Sequence, residues 1–217
     1  MGIIDYNKLY NLQDKILDIV FSVEDIFYLT GGTALSRFYQ EKRYSDDLDF
    51  FTNDNNRFNI AVRSIKFAIE KEYKLIIEVE SKDFIRFLVD GHLQLDFVND
   101  RVYRYAKSIN IKNIQVDNIE NILANKLTAV VGRDNPKDVF DIYLIYKFYD
   151  FDWKHILEIA HKKSVFASED LLTRLKTFPI SLLKNINLID NSFLDDFVEE
   201  YPLIINEIKE YANHKRN

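Results

Sequence analysis

Asp47 and Asp49 stand two positions apart in the run Tyr44-Ser45-Asp46-Asp47-Leu48-Asp49-Phe50-Phe51. Side chains at i and i+2 of a β-strand share a face. The two carboxylates then project together, with Leu48 and Phe50 turned the other way into a core and Asp46 pointing away from its neighbours. Paired carboxylates repel unless a positive charge lies between them. A hard divalent cation, Mg²⁺ or Mn²⁺, meets that need, because it takes carboxylate oxygens together with substrate phosphates. Aspartate also favours turns, so the pair could instead close a turn after Ser45. Phe50-Phe51 continue the segment as a strand and favour the first reading.

A glycine pair, Gly31-Gly32, lies upstream between two elements. Residues 25–30 read as a short strand and residues 33–40 as a helix. Glycine lets the backbone turn tightly and approach a ligand closely. The helix that follows offers free N–H groups and a positive dipole end, which together suit a phosphate. Thr33 is placed to cap that helix, to touch the phosphate, or to do both. The layout sets a phosphate cradle beside a cation site.

His92-Leu93-Gln94-Leu95-Asp96-Phe97 alternates polar and apolar residues, the pattern of a half-buried strand. Asp96 falls on the polar face and can join the pair; the plainer alternative is an exposed residue on an edge strand. Asp90-Gly91 just before it is a two-residue hairpin signal.

Lys126 is conspicuous in a predicted helix over 118–131. It falls within the apolar stripe of Ile119, Ile122, Leu123, Leu127 and Val130. A buried lysine needs an anionic partner or must lose its charge. That partner is either a nucleotide triphosphate or a structural carboxylate, Asp138 or Asp141. Asn135-Pro136-Lys137-Asp138 reads as a helix start, with Asn135 as cap and Asp138 as the far member of a capping box. Asp141 lies one turn on. Arg133 meets either phosphate or solvent, and Arg43 either phosphate or Asp46.

These residues form a recognisable set. Gly31-Gly32-Thr33-Ala34-Leu35, Arg43-x-Ser45-x-Asp47-Leu48-Asp49-Phe50-Phe51, Leu95-Asp96-Phe97, Lys126-Leu127-x-Ala129 and Lys137-Asp138-x-Phe140-Asp141 resemble the AbiEii/AbiGii toxin family. That resemblance covers roughly residues 25–147. It implies a nucleotidyltransferase fold, related at its core to polymerase-beta-like enzymes. It implies Asp47, Asp49 and Asp96 as metal ligands, and these with Lys126 and Asp138 as catalytic residues. Gly31, Gly32, Thr33, Arg43, Ser45, Lys126, Arg133 and Asp141 become the nucleotide-binding positions. It implies NTP as substrate, a place in a toxin–antitoxin or abortive-infection system, and a separate DNA-binding antitoxin as partner. Some relatives modify the acceptor end of tRNA, so RNA is the expected acceptor. A small molecule or a protein hydroxyl is the alternative, and a non-catalytic nucleotide-binding module of the same fold is a further one. The presence of all three aspartates disfavours that last reading.

The fold class expected is α/β (α+β). A mixed sheet with flanking helices over 1–116 forms the nucleotidyltransferase core. A helical region over 117–217 packs on it and completes the site. A strand–helix–strand unit is predicted over 25–52, further strands at 74–79, 84–89 and 92–98, and helices at 6–20 and 55–71. Later helices are predicted near 118–131, 137–149, 153–164, 168–177 and 192–212, with Pro179 and Pro202 as interruptions.

Composition narrows the function classes. With no cysteine, disulfides, thiolate metal sites and cysteine nucleophiles are excluded. Four scattered histidines argue against zinc. No stretch approaches the ~20 apolar residues of a membrane span. Met1-Gly2-Ile3-Ile4 carries neither a signal peptide nor a myristoylation motif, so a cytoplasmic location is expected. A net charge of −6 counts against indiscriminate nucleic-acid binding, which runs on phosphate neutralisation. Arg101, Arg104, Lys107 and Lys112 form the one nearby basic cluster, either an RNA guide or a solvated surface.

Overall fold

A computed structural model describes residues 5–213, so the N-terminal stretch 1–4 lies outside the described residues. The chain forms two compact units. The first comprises residues up to Phe38, Ser45–Arg101 and Ser108–Asp117. The second comprises Tyr39–Tyr44, Val102–Lys107 and the chain from Asn118 onward. Two short excursions, 39–44 and 102–107, thus join the helical unit rather than the sheet that flanks them in sequence.

The first unit is built on a seven-stranded mixed sheet of order β3-β4-β5-β2-β1-β7-β6. Its strands are β1 (Tyr28–Thr30), β2 (Asp47–Thr52), β3 (Leu75–Glu80), β4 (Phe84–Val89), β5 (Leu93–Asn99), β6 (Ile109–Ile111) and β7 (Ile114–Val116). Helices α1 (Tyr6–Val23) and α3 (Phe58–Ile69) supply Ile16, Leu17, Val20, Ala61, Val62 and Ile65 to its core. Leu48, Phe50, Leu95 and Phe97 are fully buried there. Phe50 stacks on Phe97 with centroids 5.0 Å apart, and Phe27 and Phe87 meet Phe97 edge-on or tilted. Strict alternation along β2 sends Leu48 and Phe50 into this core, and Asp47 and Asp49 to the other face.

The strand expected at 25–30 is shorter, and the helix expected at 33–40 begins at the first glycine. Gly31–Ala34 is α2, which continues as a π-helical turn over Leu35–Tyr39. β6 and β7 were not expected from sequence. Their turn uses positive φ at Lys112 and Asn113, without the glycine that marks such turns.

The second unit is helical: α4 (Ile119–Gly132), α5 (Pro136–Phe148), α6 (Trp153–Lys163), α7 (Ser168–Thr177), a 3₁₀ turn (Ile180–Asn185) and α8 (Ser192–Asn213). Phe197 centres its aromatic core, 5.2 Å from Tyr143 and 4.6 Å from Tyr201. Pro179 follows α7, as expected. Pro202 does not interrupt α8, which runs through it. Proline costs the helix one bond to the carbonyl four residues back. Here that carbonyl belongs to Val198, which is exposed and can be solvated.

Candidate active site

Three carboxylates share one face of the sheet. In the parallel pairing of β2 with β5, Asp47 lies opposite Gln94 and Asp49 opposite Asp96. Residues opposite each other on neighbouring strands point to the same side, so Asp47, Asp49 and Asp96 share the face turned away from the Phe50–Phe97 core. Asp96 is buried, while Asp47 and Asp49 are half-buried.

Gly31 gives Asp49 its room. Its φ is +70°, in the left-handed region that favours glycine. A Cβ built on it would overlap Asp49 Oδ2 and stand 3.2 Å from Cγ. The backbone that starts α2 is thus packed directly on a site carboxylate. Thr33 pins the same turn to β2. Its hydroxyl donates to the Asp47 carbonyl and lies 2.8 Å from Ser45 Oγ. Both side chains are buried. The Ser45 backbone is held by Tyr10 Oη at 3.2 Å and Gln13 Nε2 at 3.0 Å. Thr33 and Ser45 therefore fix where the strand begins.

Asp96 carries a partner that was not expected. Arg86 lies opposite it across β4 and β5. Its Nε donates to Oδ1 at 2.7 Å and its Nη2 to Oδ2 at 2.7 Å, a two-pronged hold. Gln94 Nε2 adds a 3.3 Å contact to Oδ2. The bonds to Asp96 raise the Arg86 pKa above its ordinary value, and Glu78 and Asp47 add to the effect. The two-residue hairpin expected at Asp90-Gly91 would have set Val89 against His92 and Arg86 against Leu95. The observed loop includes His92, so Val89 faces Leu93 and Arg86 faces Asp96. The apolar pattern decides this, because a one-residue slip would turn Leu93, Leu95 and Phe97 out of the core.

The acidic face suits a divalent cation. Its donors are hard oxygens, and it already draws a guanidinium. Among the described residues no three carboxylate or imidazole groups form a metal cage. Mg²⁺ does not need one: it is commonly held by one or two carboxylates, with phosphate and water completing the shell. Asp47 and Asp49 fit that role.

Sequence reasoning also passed over Asp117, fully buried, which accepts from Thr30 Oγ1 at 2.8 Å. Thr30 pairs with Asp49 across β1 and β2, on the same face.

The remaining candidates lie in the helical unit, as one ionic cluster that is buried except for the exposed Arg133. Lys126 Nζ is 2.9 Å from Asp138 Oδ1 and 2.7 Å from Asp141 Oδ2. Arg43 grips Asp141 with Nε and Nη2 at 2.6 and 2.8 Å. Arg133 Nε reaches Asp138 Oδ2 at 2.7 Å. Lys126 thus has the carboxylate partners that its place in the apolar stripe demanded, and Arg43 meets Asp141. Burial alone would lower the Lys126 pKa, but Asp141 and Asp138 outweigh it and hold it above the ordinary value. Burial would raise both carboxyls, yet Lys126 and Arg133 hold Asp138 below its usual range, and Arg43 and Lys126 do the same for Asp141. Asn135 caps α5 through the Lys137 N–H, as expected, but Asp138 does not close a capping box, because its carboxylate turns to Lys126 and Arg133. The basic cluster expected after Asp96 is divided. Arg101, at 2.5 Å from Asp83, and Lys112 belong to the sheet unit, and Arg104 and Lys107 to the helical one.

Residues 19–213 match the family model described as "Nucleotidyl transferase AbiEii toxin, Type IV TA system". The chain belongs to the AbiEii nucleotidyltransferase toxin family. The protein aq_aa25 of Aquifex aeolicus (strain VF5) is 32% identical over 163 residues, covering 72% of this chain and 76% of that protein. Two solved structures share the fold. JHP933 from Helicobacter pylori superposes with a TM-score of 0.63 at 20% identity, covering 99% of this chain and 97% of that one. The nucleotidyltransferase toxin MenT4 from Mycobacterium tuberculosis H37Rv gives 0.65 at 13% identity, covering 96% and 87%. As an AbiEii member the protein is a nucleotidyltransferase, and a Type IV toxin–antitoxin system implies a nucleotide substrate and an antitoxin partner. Among the described residues, no helix is long and apolar enough to cross a membrane.

Proposed function

We propose that this AbiEii protein transfers a nucleotide from an NTP to RNA, with tRNA as the acceptor, and that the transfer needs Mg²⁺ or Mn²⁺. The observation that carries the proposal is the register of β2 on β5, which sets Asp96 beside Asp49 on the face that also bears Asp47. In the reaction, the acceptor hydroxyl oxygen bonds to the α-phosphorus as the bond to the β-phosphate bridging oxygen breaks. Pyrophosphate leaves and the hydroxyl proton is lost. Asp47 and Asp49 would hold a divalent cation, which would supply charge neutralisation at the reacting phosphoryl group. Gly31, Gly32 and Thr33 bring backbone close to the phosphates, since no side chain intervenes at Gly31. Asp96 is placed to accept the hydroxyl proton. Lys126 and Arg43 hold Asp138 and Asp141 in place, and Arg133, the exposed cation of this group, is the one placed to meet a phosphate.

RNA as acceptor is supported by the motif resemblance, and the net charge of −6 counts against it. An NTP substrate favours the cytoplasm. Within the Type IV system we propose a separate DNA-binding antitoxin and a role in abortive infection. The test is incubation with each α-labelled NTP, Mg²⁺ and total RNA. Label in RNA with equimolar pyrophosphate supports the reading. Label appearing only in small molecules or protein would reassign the acceptor, and no transfer to any acceptor would reduce the protein to a binding module.

A further inference from the structure

We infer that Arg86 is an internal counter-cation that occupies Asp96 when no metal is bound and gives it up when the acidic face takes up a divalent ion. Arg86 thereby sets the cation affinity of the face. The inference rests on the cation reading of Asp47 and Asp49 given above.

The geometry supports this on three counts. First, the guanidinium makes a two-pronged contact with Asp96, at 2.7 Å to each oxygen. A carboxylate held in that way is turned toward its partner and offers less charge to anything else. Second, Arg86 faces Asp96 across β4 and β5, and Asp96 faces Asp49 across β5 and β2, so the guanidinium stands in one row with the paired carboxylates on the sheet face. A second cation at Asp47 and Asp49 would be repelled by it, and would also compete with it for Asp96. Third, the arginine is not locked in. Its side chain keeps 32% of its exposure, against 10% for Asp96. Beside Asp96 and Gln94, the arginine rests against the Phe84 ring on the same strand, whose centroid is 5.4 Å from the guanidinium carbon. On this inference Asp96 exchanges the Arg86 pair seen here for a bound cation.

The experiment is a Mn²⁺ titration followed by calorimetry, on the nucleotide-free full chain. Arg86→Met removes the charge and keeps the apolar stem. It is expected to bind Mn²⁺ about tenfold more tightly than wild type, the order expected when a unit charge leaves a partly screened ionic site. Adding Asp96→Asn to Arg86→Met should remove that gain. Arg86→Lys keeps the charge without the fork and should fall between wild type and Arg86→Met; it also serves as the readout if the methionine variant folds poorly. If Arg86→Met and Arg86→Lys bind as wild type does, or if the gain survives Asp96→Asn, the inference is overturned while the cation reading stands. If wild-type binding is insensitive to Asp47→Asn with Asp49→Asn, the cation reading itself fails and the inference with it.

Discussion

Gly31 and Asp49 are packed so that no Cβ fits between them. An added methyl at Gly31 would overlap Asp49 Oδ2, and the backbone there already has φ of +70°. Gly31→Ala should cost about 1–2 kcal/mol of stability from the left-handed conformation. The clash falls on the mobile end of a side chain, so Asp49 rotates rather than the fold breaking. A misplaced site group of this kind should lower nucleotide transfer by ~100-fold. Comparing the melting temperature with the transfer rate checks this. A variant that melts several degrees lower yet transfers at the normal rate would separate Gly31 from the chemistry.

Asp49→Asn should abolish transfer and leave the fold intact. The substitution keeps the shape and removes one of two like charges on one strand face. Stability without metal should stay level or rise slightly. Full activity of this variant with Mg²⁺ present would contradict the assignment of Asp47 and Asp49 as cation ligands.

Asp141→Asn tests the helical unit. Asp141 is fully buried, and its two oxygens serve Arg43 and Lys126. Removing its charge takes a carboxylate from Arg43 and one of two from Lys126, at a cost of about 3–5 kcal/mol. Denaturant unfolding would measure it. A loss under about 1 kcal/mol, the level of an exposed ion pair, would mean that the cluster is hydrated and contributes little to the fold.

The pH dependence of that loss has a definite sign. Asp138 and Asp141 are held below the ordinary 3.8, so their contribution is present above that pH and fades as pH falls through their lower folded values. Lys126 is held above 10.5, so its contribution is complete below that pH and fades as pH rises through its higher folded value. The stability gap between wild type and Asp141→Asn should therefore be flat from about pH 5 to about pH 9 and narrow outside that range. Melting curves across pH would show it. A gap that changed through neutrality would point to a titrating group other than these three.

Much of the site was legible because its signals are local. The alternation in Asp47-Leu48-Asp49-Phe50 fixes which face each side chain takes, and Gly31 marks a backbone that only glycine adopts freely. Lys126 was legible as a misfit in an apolar stripe. What escaped depends on pairing between distant elements. Arg43 and Asp141 are 98 residues apart, and no local pattern joins them. Arg86 reaches Asp96 only through the register of the β4–β5 hairpin, and the Asp90-Gly91 signal suggested a loop one residue too short. The β6–β7 hairpin escaped because Lys112 and Asn113 adopt positive φ without a glycine to announce it.

The most direct measurement is the intact mass of purified tRNA after incubation with the protein, Mg²⁺ and each NTP in turn. The expected result is a mass increase of one or more nucleotide monophosphates with a preferred NTP, absent with the Asp47→Asn, Asp49→Asn double variant. Unchanged tRNA mass with every NTP, from protein that is folded and binds nucleotide, would contradict transfer to tRNA.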